Sequence, residues 1–354
     1  MTPSKAAKGF WANLSEPMFL PDIGTYFNQD MAQAKQIVDA LLQAGVKTIK
    51  GEILQNADIC LDAPQSGNER YWGQVSGEFV EENYRALIER KVVPLSAYRE
   101  LMEYASSKGA SWVMSVYDFE GADFAKQMGC VAIKIASSNI THQPLIEYVA
   151  KLGVPMLFDT GHSTMEEAAR AINWAQDQGA FDLLIEHSPK APPNPVEQQN
   201  LRYMLTLGQA MGLPYGLSDH YAGEEMLYAA TAMGALVLEK GVCPNDMPDE
   251  QDGGQALPIG QVAEVVSKIR NIALGLGDGQ RHLPRQRVKY ASRMGLVAAR
   301  DLQVGDKVEL GNVRFAFPAL GIQAEYWSEV EHSRLRHSLK SGQVIDWRDI
   351  DLAE

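Results

Sequence analysis

Eight short apolar runs alternate with amphipathic segments over residues 19–276, and this alternation constrains the fold more than any other feature. Such alternation is the signature of repeated βα units that build a parallel sheet. The sequence predicts strands at 19–23, 48–53, 112–117, 132–136, 155–159, 183–186, 215–219 and 236–240. The helices are predicted to begin near residues 31, 95, 121, 143, 164, 197, 223 and 260.

The number of predicted strands favours a closed (β/α)8 TIM barrel over an open, doubly wound sheet. No GxGxxG motif follows the first strand, which weighs against a dinucleotide-binding fold. The stretch from Cys60 to Lys91 is long and polar. We interpret it as an insertion after the second strand that lies on the barrel rim.

The composition changes after Gly275, which indicates a second, smaller domain. Residues 1–280 are predicted to form the barrel, residues 281–290 a linker, and residues 291–354 a domain of short strands and turns. A domain of this size is marginally stable alone, so we expect it to dock on another surface. The adjacent Tyr326 and Trp327 belong either to an interface or to the core of this small domain.

The formal net charge of −13 argues against nucleic acid or an anionic membrane surface as a partner. Three widely spaced cysteines, Cys60, Cys130 and Cys243, do not form the pattern of a disulfide framework. No apolar run resembles a signal peptide or is long enough to span a bilayer. We therefore expect a cytoplasmic protein.

Nearly every predicted strand ends in a polar or charged side chain. In a (β/α)8 barrel these ends converge on one site. Buried charges are costly unless they are paired, so the whole set is better explained by a functional site than by unrelated core ion pairs. The residues are Asp22, Lys50 with Glu52, Ser115, Lys134 with Ser137, Asp159, His187, Ser218 with His220, and Glu239.

Two chemistries follow from the lysines in this set. Lys50 and Lys134, together with the hydroxyls, suit an anion such as a phosphate or a carboxylate. Alternatively, burial lowers the pKa of one lysine so that it forms a Schiff base. A third feature is a set of divalent-cation ligands, which would consist of His220, Glu239 and Asp252.

The order and spacing of several motifs resemble the N-acetylneuraminate (sialic acid) synthase family, and the resemblance extends from about Phe19 to Asp351. It implies a barrel followed by an antifreeze-like (SAF) domain, in a homodimer whose SAF domains cover the partner's active site. It also implies a transferase that joins phosphoenolpyruvate to an amino sugar. The motifs are Lys134-Ile-Ala-Ser137, Asp159-Thr-Gly161, Gly216-Leu-Ser-Asp-His220 and Val237-Leu-Glu239-Lys240 in the barrel, and Val304-Gly-Asp-Lys307 and Pro318-Ala-Leu-Gly321 in the SAF domain.

The resemblance also implies roles for individual residues. His220 matches a ligand of a divalent metal, Mn or Mg, which would polarise the acceptor's carbonyl while the enol carbon attacks it. Water would then add and phosphate would leave. Phosphoenolpyruvate would contact Lys50, Ser115, Lys134, Ser137, Asp159 and Ser218, and the catalytic groups would be Glu239, Asp252, Lys134 and Asp22.

Departures from the family pattern fall at both ends of the implied site. On the acceptor side, with Glu52 and His187, Asn139 replaces a glutamate and Phe317 replaces an arginine of the SAF domain. These two changes suggest an altered acceptor.

At the other end, Asp159 replaces a serine near the phosphate, and Gly241 replaces the second metal-ligand histidine. Cys243 is either a replacement ligand or an inert buried cysteine.

Three hypotheses therefore remain. The first is a phosphoenolpyruvate-dependent synthase with an altered aldehyde acceptor. The second is an aldolase or lyase that uses Lys134 or Lys50 as a nucleophile and Asp159 as an acid/base group. The third is a non-catalytic paralogue that binds a metabolite or a partner enzyme.

Overall fold

A computed structural model describes residues 9–24, 26–63, 65–189, 195–282 and 292–352. The chain divides into two compact units, residues 1–277 and 278–354. Most of the predicted linker, 281–290, lies outside the described residues. None of the described helices is long and apolar enough to cross a membrane.

The first unit is a closed barrel of eight parallel strands, as the sequence predicts. The first strand pairs with the second and also with the last, which closes the sheet. The last strand extends three residues beyond the predicted end. The strands are β1 Met18–Asp22, β2 Thr48–Ile53, β3 Ser111–Val116, β4 Ala132–Ile135, β5 Met156–Asp159, β6 Leu183–His187, β7 Tyr215–Asp219 and β8 Val237–Cys243.

Eight helices alternate with these strands within the described ranges. The helix predicted to begin near residue 197 begins at Arg202, because Asn200 has left-handed backbone (φ 40°) and separates a short 3-10 turn from the helix. The helices are α1 Met31–Gln43, α2 Leu95–Ser107, α3 Phe119–Gln127, α4 Gln143–Lys151, α5 Met165–Asp177, α6 Arg202–Met211, α7 Glu225–Ala232 and α8 Val262–Leu276.

Side chains alternate between the inside and the outside of the barrel, as the pleat of a strand requires. One buried apolar layer fills the inside near the N-terminal ends of the strands, where the Trp11 indole donates to the Met156 carbonyl. Two residues further along the same strands, the inward side chains are polar. The apolar layer contains Leu20, Val113, Ala132, Leu157, Leu184 and Val237.

The polar stretch after β2 forms an antiparallel hairpin, Asn68–Trp72 with Phe79–Asn83, and a short helix, Tyr84–Glu89. It is fastened to the loop that follows β8. Arg90 and Lys91 both form ion pairs with Glu250, and Asp249 accepts a hydrogen bond of 2.6 Å from the Val75 amide. The insertion therefore lies at the C-terminal rim of the barrel, as predicted.

The second unit has a hydrophobic core of its own, which includes Ile345. Its strands pair as Gly295–Ala298 with Val313–Ala316 and as Arg334–Leu335 with Ile350–Asp351, and a short helix spans Trp327–Val330. The rings of Phe315 and Trp327 lie 5.4 Å apart, and Tyr326 contacts Trp347 at the same distance. Of the two interpretations of Tyr326 and Trp327, the structure supports membership of the small unit's own core.

The Ile345→Ala substitution tests whether the second unit is an independent folding unit. Ile345 is fully buried, so its truncation is expected to cost about 2–5 kcal/mol. Differential scanning calorimetry should show a lowered melting transition for the small unit and an unchanged transition for the barrel. Leu310→Ala, at an exposed position of the same unit, is the control and should change neither transition. Equal shifts of both transitions in Ile345→Ala would show that the two units unfold together.

Candidate active site

The inward polar layer opens into a cavity of about 530 Å³ at the C-terminal ends of the strands. The strand geometry explains this position, because on six of the strands an inward polar residue follows a residue of the apolar layer by two positions. The cavity brings together most of the residues that the sequence singles out. These are Asp22, Lys50, Glu52, Ser115, Lys134, Ser137, Asn139, Asp159, Ser218, His220, Glu239, Gly241 and Asp252.

Lys134 on β4 is buried among carboxylates. Its Nζ atom lies 2.6 Å from Glu239 Oε1, 2.9 Å from Asp159 Oδ2 and 3.1 Å from Glu186 Oε2. The hydroxyl of Ser218, 3.1 Å from Glu239 Oε1, donates to the same carboxylate. Strands β5, β6 and β8 thus each direct one acidic side chain at a single ammonium group.

Lys50 on β2 is the second buried cation. It forms ion pairs with Asp22 and, at 3.3 Å, with Glu52. Its Nζ atom also lies 3.7 Å from Glu239 Oε1, so Glu239 bridges the two lysines. Together, five carboxylates surround two ammonium groups, which leaves an excess of negative charge in the cluster when all of them are ionised.

The protonation states follow from burial and pairing. Burial raises the pKa of Asp22 to about 6 and the pKa of Glu186 to about 8, and in each case it outweighs the opposing effect of the neighbouring lysine. Burial alone would also raise the pKa of Asp159, but Lys134 holds it below its ordinary value. The carboxyls of one cluster therefore carry protons over different pH ranges.

Both lysines stay protonated at neutral pH. Burial alone would lower the pKa values of Lys50 and Lys134, but the surrounding carboxylates raise both above the ordinary value. A Schiff base requires a neutral amine. The structure therefore disfavours the lysine-dependent aldolase and favours anion binding by the ammonium groups.

His220 follows β7 and lines the cavity. Its Nδ1 atom lies 2.9 Å from the carbonyl oxygen of Ser218, and a carbonyl only accepts hydrogen bonds, so Nδ1 is the donor in this contact. Asp252 also lines the cavity, in left-handed backbone (φ 63°), and accepts a hydrogen bond from Gln255.

Gly241 on β8 has no room for a side chain. A Cβ atom at this position would lie 2.8 Å from the hydroxyl oxygen of Tyr26. The Tyr26 hydroxyl in turn donates to the carbonyl oxygen of Asp252, at 3.3 Å. A tyrosine after β1 thus takes the space beside the glycine, and no ligand can come from position 241 while Tyr26 stays there. Cys243 is buried, and burial raises the pKa of its thiol to about 11.

One of the predicted site residues in the barrel, His187, does not line this cavity. His187 is buried on the other face of β6, where its Nε2 lies 2.8 Å from the carbonyl oxygen of Gln199 and its ring contacts Tyr203. Phe317 is exposed in the second unit.

Sequence reasoning missed Glu186, although the signal for it was present. Leu184 belongs to the inward apolar layer, and the two-residue period of a strand places Glu186, not His187, on the inside. The aromatic and basic residues on the rim, Tyr26, Tyr84, Lys91 and Tyr117, were also missed. They lie in loops or, for Tyr84, at the start of a single short helix, where no strand period indicates direction.

The fold and the site define a (β/α)8-barrel protein with a buried lysine–carboxylate cluster at its C-terminal rim. The NeuB family model matches residues 37–281, and the SAF domain model matches residues 293–351. The chain belongs to the NeuB family and carries a C-terminal SAF domain. The family resemblance seen in the sequence is thereby confirmed.

Similar proteins cover almost the whole chain. The N,N'-diacetyllegionaminic acid synthase of Campylobacter jejuni is 26% identical, over 94% of this chain and 99% of the relative. The pseudaminic acid synthase of Helicobacter pylori is 24% identical, over 96% and 99%. The crystal structure of a spore coat polysaccharide biosynthesis protein E from Chromobacterium violaceum has a TM-score of 0.70 at 22% identity and covers 95% of this chain and 100% of that chain. This structural similarity supports the fold.

The Asp22→Asn substitution tests the electrostatics of the site. The folded protein keeps the Asp22 proton up to a pH of about 6, while the ordinary value is 3.8, so the stability that protonated Asp22 contributes is lost as the pH rises through this window. The free energy of unfolding of the wild type should therefore fall relative to that of Asp22→Asn between pH 4 and pH 7, by on the order of 2 kcal/mol.

Denaturant titrations at a series of pH values measure this difference. Asn173→Ala, at an exposed position on α5, is the control; it removes no titratable group and should give a difference that is independent of pH. A pH-independent difference for Asp22→Asn would contradict the raised pKa.

Proposed function

We propose that this protein condenses phosphoenolpyruvate with an aldose or amino-sugar aldehyde to give a 2-keto-3-deoxy sugar acid of the nonulosonate type. Its acceptor differs from that of the sialic acid synthases. The observation that carries the proposal is a pair of buried, protonated lysines, Lys50 and Lys134, beside the hydroxyls of Ser115 and Ser218 in one cavity. Ammonium and hydroxyl donors suit a substrate that carries a phosphate and a carboxylate. Relatives that are named as synthases of legionaminic and pseudaminic acid support the same reaction class.

The proposed reaction balances with water as the third reactant. A bond forms between the methylene carbon of phosphoenolpyruvate and the aldehyde carbon, and the aldehyde oxygen takes a proton. Water adds to the central carbon, and the bond from that carbon to the phosphate oxygen breaks. The products are the keto acid and inorganic phosphate.

The residues of the cavity divide this work between them. Lys50 and Lys134 neutralise the anionic substrate, and Glu239 holds the two lysines together, since it lies within 3.7 Å of both. Asp22, with a pKa of about 6, suits proton transfer near neutral pH. Asn139, whose amide donates to the Val116 carbonyl, lies on the proposed acceptor side with Glu52.

The charge of the cluster supports a role for a divalent metal. Five carboxylates outnumber two ammonium groups, so an anionic substrate needs further positive charge. Asp159, Glu186 and Glu239 lie close enough to one another to hold an ion, and carboxylate oxygens suit Mn²⁺ or Mg²⁺. Such an ion, when bound, supplies the charge that polarises the acceptor's carbonyl.

We further propose a cytoplasmic homodimer in which the SAF domain of one subunit covers the barrel of the other. Exposed apolar side chains on the second unit, Phe317 and Leu320, support an interface there. Light scattering at micromolar concentration should give twice the mass of the chain. A monomer under these conditions would contradict the shared-site arrangement.

The proposed reaction is tested by incubating the full-length protein and Mn²⁺ with phosphoenolpyruvate and a panel of aldoses and N-acylated amino sugars. Release of inorganic phosphate that depends on one acceptor, together with the mass of the keto acid, is the expected result. Lys50→Met should lower kcat/KM at least about 100-fold, because it removes a donor to the anion. Lys126→Met, at an exposed position on α3, is the control and should match the wild type.

Borohydride treatment distinguishes this reaction from the aldolase. The synthase should gain no mass after reduction in the presence of phosphoenolpyruvate or a keto acid. A covalent adduct on Lys134 or Lys50 would overturn the proposal, and so would an absence of turnover across the whole panel.

A further inference from the structure

Three acidic side chains, which we call the carboxylate triad, converge on the Lys134 ammonium; two of them line the cavity and the third is fully buried. They are Asp159, Glu186 and Glu239, on β5, β6 and β8, and one oxygen of each lies within 4.8 Å of the others. Oxygens that bind one hard divalent cation at about 2.1–2.4 Å lie at most about twice that distance apart. The spacing of the triad therefore matches a single ion.

A cationic group already lies among these oxygens. The ammonium of Lys134 is 2.6 to 3.1 Å from all three carboxylates. One positive charge therefore faces three acidic groups. The point between these three groups favours a cation. The lysine stands where a metal ion would be coordinated.

The ammonium leaves part of the triad unpartnered. Glu186 is completely buried, and its Oε1 atom has no hydrogen-bond partner among the described residues, while Oε2 lies 3.1 Å from the Lys134 ammonium. Glu239 Oε2 is buried without a partner in the described part of the chain as well. Buried carboxylate oxygens without donors are costly, and coordination of a metal would satisfy them.

The neighbouring positions do not offer an equivalent set. Position 241 on β8 cannot carry a ligand while the Tyr26 hydroxyl fills the adjacent space. His220 and Asp252 line the cavity but do not belong to the group of acidic and histidine side chains whose ligand atoms converge. Glu186 does belong to it.

We propose that the carboxylate triad is the divalent-cation site of this protein, and that cation binding releases Lys134 from the triad to contact the anionic substrate. The first part stands without the proposed reaction; the second part rests on it. One dication would replace one monovalent ammonium, and the freed ammonium would face the cavity. The metal would thus change the cluster from an excess of negative charge toward a site that accepts a phosphate.

Metal binding is measured directly, without substrate. Metal-stripped full-length protein is titrated with Mn²⁺ while the signal of free Mn²⁺ is followed by electron paramagnetic resonance. The wild type should bind one ion, and Glu186→Gln should weaken the binding at least 10-fold, because it keeps the shape of the side chain but replaces a carboxylate that the ion can deprotonate with an amide. Glu103→Gln, at an exposed position on α2, is the control and should bind like the wild type.

The type of ligand is determined from the ion bound to the wild type. This measurement therefore does not depend on whether a variant folds. Electron spin echo envelope modulation should show no directly coordinated ¹⁴N, because the triad contains only oxygen ligands. A strong ¹⁴N coupling, with binding lost in His220→Ala and retained in Glu186→Gln, would overturn the triad in favour of a histidine site. Absence of saturable Mn²⁺ binding to the wild type would overturn it too.

The release of Lys134 is tested by the affinity for inorganic phosphate, with and without Mn²⁺, in calorimetry. Mn²⁺ should strengthen phosphate binding at least 10-fold in the wild type and should not do so in Glu186→Gln or, if circular dichroism shows it folded, in Lys134→Met. Equal phosphate affinity with and without Mn²⁺ in the wild type would overturn the release. Mn²⁺ binding as expected, without turnover of phosphoenolpyruvate, would contradict the proposed reaction but would still support the metal site.

Discussion

The site depends on the pairing of Lys134 with three buried carboxylates. An ammonium or a carboxylate that is alone inside a barrel would be unstable, because transfer of a charge out of water is costly. Here Asp159, Glu186 and Glu239 come from three different strands and share one cation. The cluster therefore requires a closed barrel with correct register, and it holds its charges close to the point where the cavity opens.

At the rim, the side chain at position 26 determines which residue fits at position 241. Gly241 and Tyr26 lie on neighbouring elements, and the hydroxyl of the tyrosine fills the space that a side chain at 241 would need. Glu186, fully buried, directs its carboxylate at Lys134, which lines the same cavity. Position 241 therefore contributes no ligand while Tyr26 stays there, and the acidic groups around Lys134 come from β5, β6 and β8.

The upper wall of the cavity is built from two loops that hold each other. Glu250, in the loop after β8, forms ion pairs with Arg90 and Lys91 of the insertion, and the same loop carries Asp252 into the cavity. Tyr84 of the insertion lines the opposite part of the wall. Since acceptor specificity depends on a few contacts at such a rim, these loops are where members of the NeuB family can differ without any change in the barrel.

The sequence by itself determined the eight strands, the insertion and the two lysines. The spacing of apolar residues and the order of the segments are visible in the sequence without any coordinates. It also predicted most of the cavity residues, since strand ends converge in any (β/α)8 barrel. The orientation of Glu186 and His187 could also have been predicted from the strand period, whereas only the tertiary structure decided that Lys134 is shared by three carboxylates and that Tyr26 closes the space at Gly241. Those facts depend on distances between side chains from different strands and loops, and no pattern along one chain records such distances.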